Sequence, residues 1–317
     1  MSNISLLLPV KNGAKYLPSS IANIRGMVGP DDEILVVNDY STDSTVRMIQ
    51  EFSQSDSRIK LINNREPGLV GALNLGLKES SNTWVARCDV DDRYHSNRIK
   101  IQSGKITKDS AAIFSDYSFF SDSVENLGRI PSAIFNQAVS VSLALSQRTA
   151  HPSVLLNKIA VEEAGGYIPE DFPAEDLSLW LRLSRIGKLT SVEDNLLLYR
   201  LDINSISFQK RREIMVKKKN LFLKIGINSE DYSFVLENIS EILKGYEGME
   251  LGNQRKMLLI REILTILRSP ANFGLKSVKV NPKKMRIISE LFSTQSLKDV
   301  YELNAFKKKR AKIRETK

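Results

Sequence analysis

Three carboxylates fall within four residues, in the run Cys88-Asp89-Val90-Asp91-Asp92. Like charges this close are unfavourable unless a cation offsets them. A set of oxygen donors suits a hard ion, Mg2+ or Mn2+. Such an ion bridges the phosphates of a nucleotide and neutralises a departing diphosphate. Taken by itself the triplet reads first as a solvated acidic turn. What shifts the reading to a metal site is its place at the carboxyl end of a strand. A second acidic pair, Glu175-Asp176, opens a stretch in which Leu177, Trp180 and Leu181 form one apolar stripe. A carboxylate at a helix N-terminus is held as the anion. It serves there either as a cap or as a base toward a hydroxyl. Two histidines and one cysteine exclude a zinc site built from those types alone. Cys88 is expected to pack beside the acidic run rather than act as a nucleophile, and His151 is expected to be structural. No Gly-Lys-Ser/Thr follows Gly68, Gly71 and Gly76, so they form no Walker loop.

The elements that must carry these groups alternate at short spacing. Strands are predicted over 5–10, 33–38, 59–63, 84–89 and 111–116, and helices over 16–27, 44–52, 69–78 and 97–106. Such alternation implies an α/β fold with a mostly parallel sheet covered on both faces. Ligands of these sheets bind beyond the carboxyl ends of the strands. Three polar clusters are expected there: Lys11-Asn12-Gly13 after the first strand, Asn38-Asp39 after the second, and the three aspartates after the fourth. In extended backbone, Asp89 and Asp91 would share one face.

Five segments, in order, carry a resemblance. They are Leu7-Leu8-Pro9-Val10-Lys11-Asn12-Gly13, Glu33 to Thr45 (EILVVNDYSTDST), and Gly68 to Leu77 (GLVGALNLGL). Ala86-Arg87-Cys88-Asp89-Val90-Asp91-Asp92 follows, with Arg98 and Gln102 after it, and then Ala174-Glu175-Asp176 with Leu179-Trp180-Leu181-Arg182-Leu183. Over about residues 4–207 the chain resembles an inverting glycosyltransferase of family 2 with the GT-A fold. The resemblance implies a nucleotide diphosphate sugar donor, in most cases a UDP-sugar, and a glycan or lipid-linked glycan acceptor. By it, Pro9, Lys11, Asn12, Asp39 and Arg87 would line the nucleotide-sugar site. Asp89 would contact the ribose or sugar, Asp91 would bind Mn2+ or Mg2+ under the diphosphate, and Asp176 would be the base, with Glu175 helping to place the acceptor. The sequence departs from the family where Lys11 replaces a base-stacking aromatic residue. It departs again in Tyr199-Arg200-Leu201-Asp202, where Asp202 stands in a histidine's place, either as a metal ligand or as a loop residue.

Charge is uneven along the chain. Residues 208–317 hold 25 basic and 12 acidic side chains, a net of +13, which leaves −4 for 1–207 against the total of +9. A catalytic domain over 1–207 and a basic, mainly helical C-terminal domain over 208–317 are therefore expected, with amphipathic stretches at 235–243 and 257–267. The basic face has three readings: solvated surface, contact with anionic lipid, or recognition of an anionic acceptor or partner protein. It lacks the aromatic interleaving of a nucleic-acid binder, so none is expected. The sequence shows no leader peptide, no 20-residue apolar run and too few cysteines for an internal disulfide. The expected location is the cytoplasm, with peripheral contact at the inner face of the membrane. Surface-polysaccharide synthesis, in capsule or lipopolysaccharide, is the context that the resemblance implies. The rivals are a degenerate transferase domain serving as a basic binding module, and a sugar-1-phosphate nucleotidyltransferase. The latter requires a glycine-rich basic loop that Lys11-Asn12-Gly13 does not supply.

Overall fold

In the computed structural model the described residues are 3–125, 128–130, 132, 143 and 149–226. The chain divides into two compact units, 1–139 with 147–221, and 140–146 with 222–317. Of the second unit, only Leu143 and 222–226 are described. The amphipathic stretches at 235–243 and 257–267 thus lie outside the described residues.

The first unit is built on one nine-stranded sheet. Its first half is parallel: β1 (Ile4–Val10) lies between β2 (Glu33–Asn38) and β4 (Trp84–Arg87), and β3 (Ile59–Asn63) flanks β2. All residues of β1, β2 and β4 are buried, as befits strands covered on both faces. One cover is α1 (Leu17–Arg25) with α2 (Thr45–Ser55), whose Ile21, Ile24 and Ile49 join Leu6, Leu8, Ile34 and Val36 in the core. On α3 (Leu69–Glu79), a Cβ at Gly76 would lie 2.0 Å from Leu7 Cδ1, so this helix lies too close to the sheet for any larger residue there. Gly76 is thus a packing residue.

The second half is mixed. The short β8 (Leu155–Asn157) pairs antiparallel with both β4 and β6 (Ser110–Phe120), and so separates those two strands. Next, β9 (Lys188–Arg200) runs parallel to β6, β7 (Arg129–Ile130) pairs with β6, and β5 (Arg93–Tyr94) pairs antiparallel with β9. The predicted strand over 111–116 is thus the first half of an eleven-residue strand that runs on to Phe120. Further α-helices among the described residues are α4 (Arg98–Ser103), α5 (Lys158–Glu163), α6 (Glu175–Leu183), α7 (Ile206–Gln209) and α8 (Arg211–Ile225). No helix among the described residues is long and apolar enough to cross a membrane.

Candidate active site

The fourth strand ends at Arg87, two residues before its predicted end. Asp89 and Asp91 therefore do not share a strand face. The chain turns instead through Val90 and Asp91, and that turn gathers Asp89, Asp91 and Asp92 until one oxygen of each lies within 4.8 Å of the others. The Tyr94 hydroxyl accepts from the Asp89 backbone N–H at 2.7 Å. From β9, the Arg200 backbone N–H donates to Asp92 Oδ1 at 2.8 Å, and Arg200 Nε donates to the Asp91 carbonyl at 2.9 Å. The β5–β9 pairing, Arg93 opposite Leu198, fixes the far side of the turn.

Negative charge is in excess here. Burial and the neighbouring Asp89 charge push Asp91 up to about 6. Burial, then Asp89 and Asp91, raise Asp92 well above the usual carboxylate range. Asp92 Oδ2 is buried without a hydrogen-bond partner. The buried guanidinium of Arg87 pairs with Asp89 and offsets part of this charge. Burial opposes the Arg87 charge, yet Asp89 and the other neighbours raise its pKa on balance. An all-oxygen donor set with one orphaned oxygen and elevated pKa values fits a hard divalent cation.

Glu175 and Asp176 begin α6, as predicted. The expectation that the helix terminus would govern Asp176 is corrected. Burial comes first and raises its pKa, and the Leu177 N–H donating at 2.6 Å and the Arg87 charge only oppose it. Neither residue is a cap: the N-cap is Ala174, which makes no side-chain cap bond. Burial, then Asp176, push Glu175 up to about 8, and Glu175 Oε2 is buried without a hydrogen-bond partner. Asp89 raises Glu175 further, and Arg87 acts on both α6 carboxylates as well as on Asp91 and Asp92. The two acidic groups predicted from sequence therefore share one electrostatic field with Arg87 common to both. Below them, Trp180 stacks edge-on against Phe114 at 5.0 Å and against His151 at 5.6 Å. His151 Nε2 lies 2.8 Å from the Tyr167 hydroxyl, and burial, then the Arg87 charge, hold the imidazole neutral. This histidine is structural.

Two residues of the acidic motif are scaffold. Arg98 is fully buried and donates to the carbonyls of Arg87 and Val154, each at 3.0 Å, and to Gln102 Oε1 at 3.0 Å. Gln102 Nε2 donates to the carbonyls of Ile113 and Ser153. Together they tie the end of β4 to β6 and to the turn before β8. Cys88 is buried beside them, and burial, the largest influence, raises its thiol pKa. It packs as expected.

At the tips of β1 and β2, Asp39 is buried, and its Oδ1 accepts from both Asn64 Nδ2 and the Gly68 N–H, each at 2.9 Å. Neither donor uses Oδ2. Asn12 has φ +51°; its Oδ1 accepts from the Thr42 N–H at 2.8 Å, which ties the two loops together. Lys11 is exposed, and Pro9 is buried inside β1 opposite Val37. Asp202 Oδ1 accepts from the Asn204 N–H at 2.8 Å within its own turn, and it is not among the three converging carboxylates. Two residues without a sequence-derived role belong to the centre. Asp92 was visible as the third acid of the run. Arg200 was visible only as part of a motif, because nothing local reveals a contact across 109 positions.

A mixed α/β sheet with flanking helices and acidic groups gathered past its strand ends is the architecture of the GT-A fold. Residues 5–158 match the sequence profile described as Glycosyl transferase family 2. An uncharacterized glycosyltransferase of Rickettsia bellii is 27% identical over 65% of this chain and 30% of its own length. The Escherichia coli protein WfgD, a UDP-Glc:alpha-D-GlcNAc-diphosphoundecaprenol beta-1,3-glucosyltransferase, is 27% identical over 67% of this chain and 82% of its own. Staphylococcus aureus TarS 1–349 in complex with UDP-GlcNAc superposes with a TM-score of 0.54 at 16% identity, over 84% of this chain and 81% of that one. Residues 5–158, just under half of the chain, are thus a glycosyl transferase family 2 segment.

Proposed function

We propose that this chain is a metal-dependent inverting glycosyltransferase that moves one sugar from a UDP-sugar to a hydroxyl of a glycan or lipid-linked glycan in bacterial surface polysaccharide synthesis. The observation that carries this reading is the convergence of Asp89, Asp91 and Asp92, with Arg87 acting on both this cluster and Glu175-Asp176. Asp91, with Asp89 and Asp92, would hold Mn2+ or Mg2+. A cation bound there supplies positive charge to the diphosphate leaving group.

The protein's own part follows from its protonation states. Asp39 Oδ2 accepts from an N–H on the edge of the base. Asp176 takes the proton of the acceptor hydroxyl, and its raised pKa makes it a better base than an ordinary carboxylate. Glu175 keeps its proton at neutral pH and donates a hydrogen bond to the acceptor. One base and a single displacement invert the anomeric carbon. WfgD acts on a diphosphoundecaprenol-linked sugar, and an acceptor of that kind fits a cytoplasmic enzyme that touches the inner face of the membrane. Exposed Met215 and Val216 on α8, next to Lys217, Lys218 and Lys219, support that contact.

The test is UDP release from UDP-glucose and UDP-GlcNAc with a lipid-linked acceptor, with and without Mn2+. Asp176→Asn is expected to abolish transfer and retain UDP binding, and Asp91→Ala to lose metal-dependent UDP binding. Full transfer by Asp176→Asn, or metal-independent transfer by the wild type, would overturn the mechanism.

A further inference from the structure

We propose that Tyr40 is the platform on which the nucleobase of the donor stacks. The proposal rests on the nucleotide-donor reading above and adds to it a residue that determines donor affinity. Tyr40 directly follows Asp39 at the tip of β2, yet it is half exposed, at 50%, and has φ +54°. A bulky side chain in left-handed backbone is strained, and such strain persists where surrounding structure over-determines it.

The surroundings do so. Asn38 Oδ1 accepts from the Ser41 N–H at 3.1 Å, the Asp39 N–H donates to the Val10 carbonyl at 2.8 Å, and Ser41 Oγ accepts from the Asn12 N–H at 2.9 Å. The ring is also anchored at its far end, where the phenol donates to the Arg65 carbonyl at 3.1 Å. A solvated aromatic ring is thus held in one place between the tips of β2 and β3. The segment that receives its hydroxyl, Asn64 to Gly68, also supplies both donors to Asp39 Oδ1.

Asp39 Oδ2 is left by both of those donors as an acceptor for an incoming N–H, and a fixed aromatic ring one residue away offers a π-face. A planar heterocycle with an edge N–H, such as uracil, meets both. Stacking tolerates any base because every base has a π-face, so Tyr40 sets affinity while Asp39 reads the edge. Lys11, exposed on the neighbouring loop, has no ring to offer.

The test is calorimetric titration of the full chain with UDP and with inorganic pyrophosphate, each with Mn2+, for the wild type, Tyr40→Gly and Tyr40→Phe. Glycine removes the ring and relieves the left-handed backbone, so the variant is expected to melt no lower than the wild type. Tyr40→Gly should weaken UDP binding by roughly five- to a hundredfold and leave pyrophosphate binding unchanged. Tyr40→Phe, which keeps the ring, should stay within roughly threefold of the wild type. Unchanged UDP affinity in Tyr40→Gly overturns the proposal. So does an equal loss for UDP and pyrophosphate, or a loss in Tyr40→Phe as large as in Tyr40→Gly. A wild-type chain that binds pyrophosphate but no UDP overturns the donor reading itself, and this inference with it.

Discussion

The backbone amide of Arg200, at the last position of β9, donates to Asp92 Oδ1 at 2.8 Å across 108 positions of sequence. This bond, with Arg200 Nε on the Asp91 carbonyl, joins the acidic turn to the second half of the sheet. The Arg200 guanidinium also pairs with Asp122 and lies over the rings of Tyr16 and Phe120, at 4.9 and 4.6 Å.

Arg200→Lys keeps the charge and the backbone amide but loses the planar donor fork and its stacking. The turn should then hold its carboxylates less firmly. Mn2+-dependent UDP binding is expected to weaken about five- to tenfold, equivalent to about 1–1.4 kcal/mol, while the far-UV spectrum stays unchanged. Calorimetric titration checks this, and wild-type affinity in the variant would remove Arg200 from the positioning of the turn.

Glu175 gives a pH signature. Its folded-state pKa is raised to about 8 from an ordinary 4.5. Between those values the unfolded chain has released the proton that the native chain keeps, so ionisation of Glu175 erodes stability as pH rises through that window. Glu175→Gln, which mimics the protonated acid, should match the wild type near pH 4.5. It should become progressively more stable than the wild type up to about pH 8, by on the order of a few kcal/mol. Urea midpoints at pH 5, 7 and 9 measure the gap, and a gap that is constant with pH contradicts the assignment.

Arg98 should matter for stability rather than for chemistry. Arg98→Met fills similar space but leaves the carbonyls of Arg87 and Val154 and the side chain of Gln102 without their donor. Each buried unpaired group costs about 1–3 kcal/mol, so a loss of roughly 3 kcal/mol or more is expected in urea denaturation. The folded fraction should still bind UDP, because Arg98 donates to the carbonyls of Arg87 and Val154 and to Gln102, which are scaffold atoms. Wild-type stability in the variant would refute the scaffold role.

The sequence by itself determined the parallel half of the sheet and the strand ends at which its polar clusters lie. Leu6, Leu8, Ile34 and Val36 lie in buried strands whose local pattern states that burial, and Gly68 marks the turn before α3 within a few residues. It also picked out Asp39, Asp89, Asp91, Glu175 and Asp176, through the motifs that carry the family resemblance. Tertiary structure alone decided three things. The insertion of antiparallel β8 between β4 and β6 depends on three residues too short to show a period. The convergence of Asp92 with its neighbours depends on a turn that β9 clamps from more than a hundred residues away. The raised pKa of Asp176 depends on burial, which outweighs the helix terminus that the local pattern had placed first. Patterning reports which residues a chain must hide. Which charges then meet, and how much water remains around them, follows only from how distant segments pack.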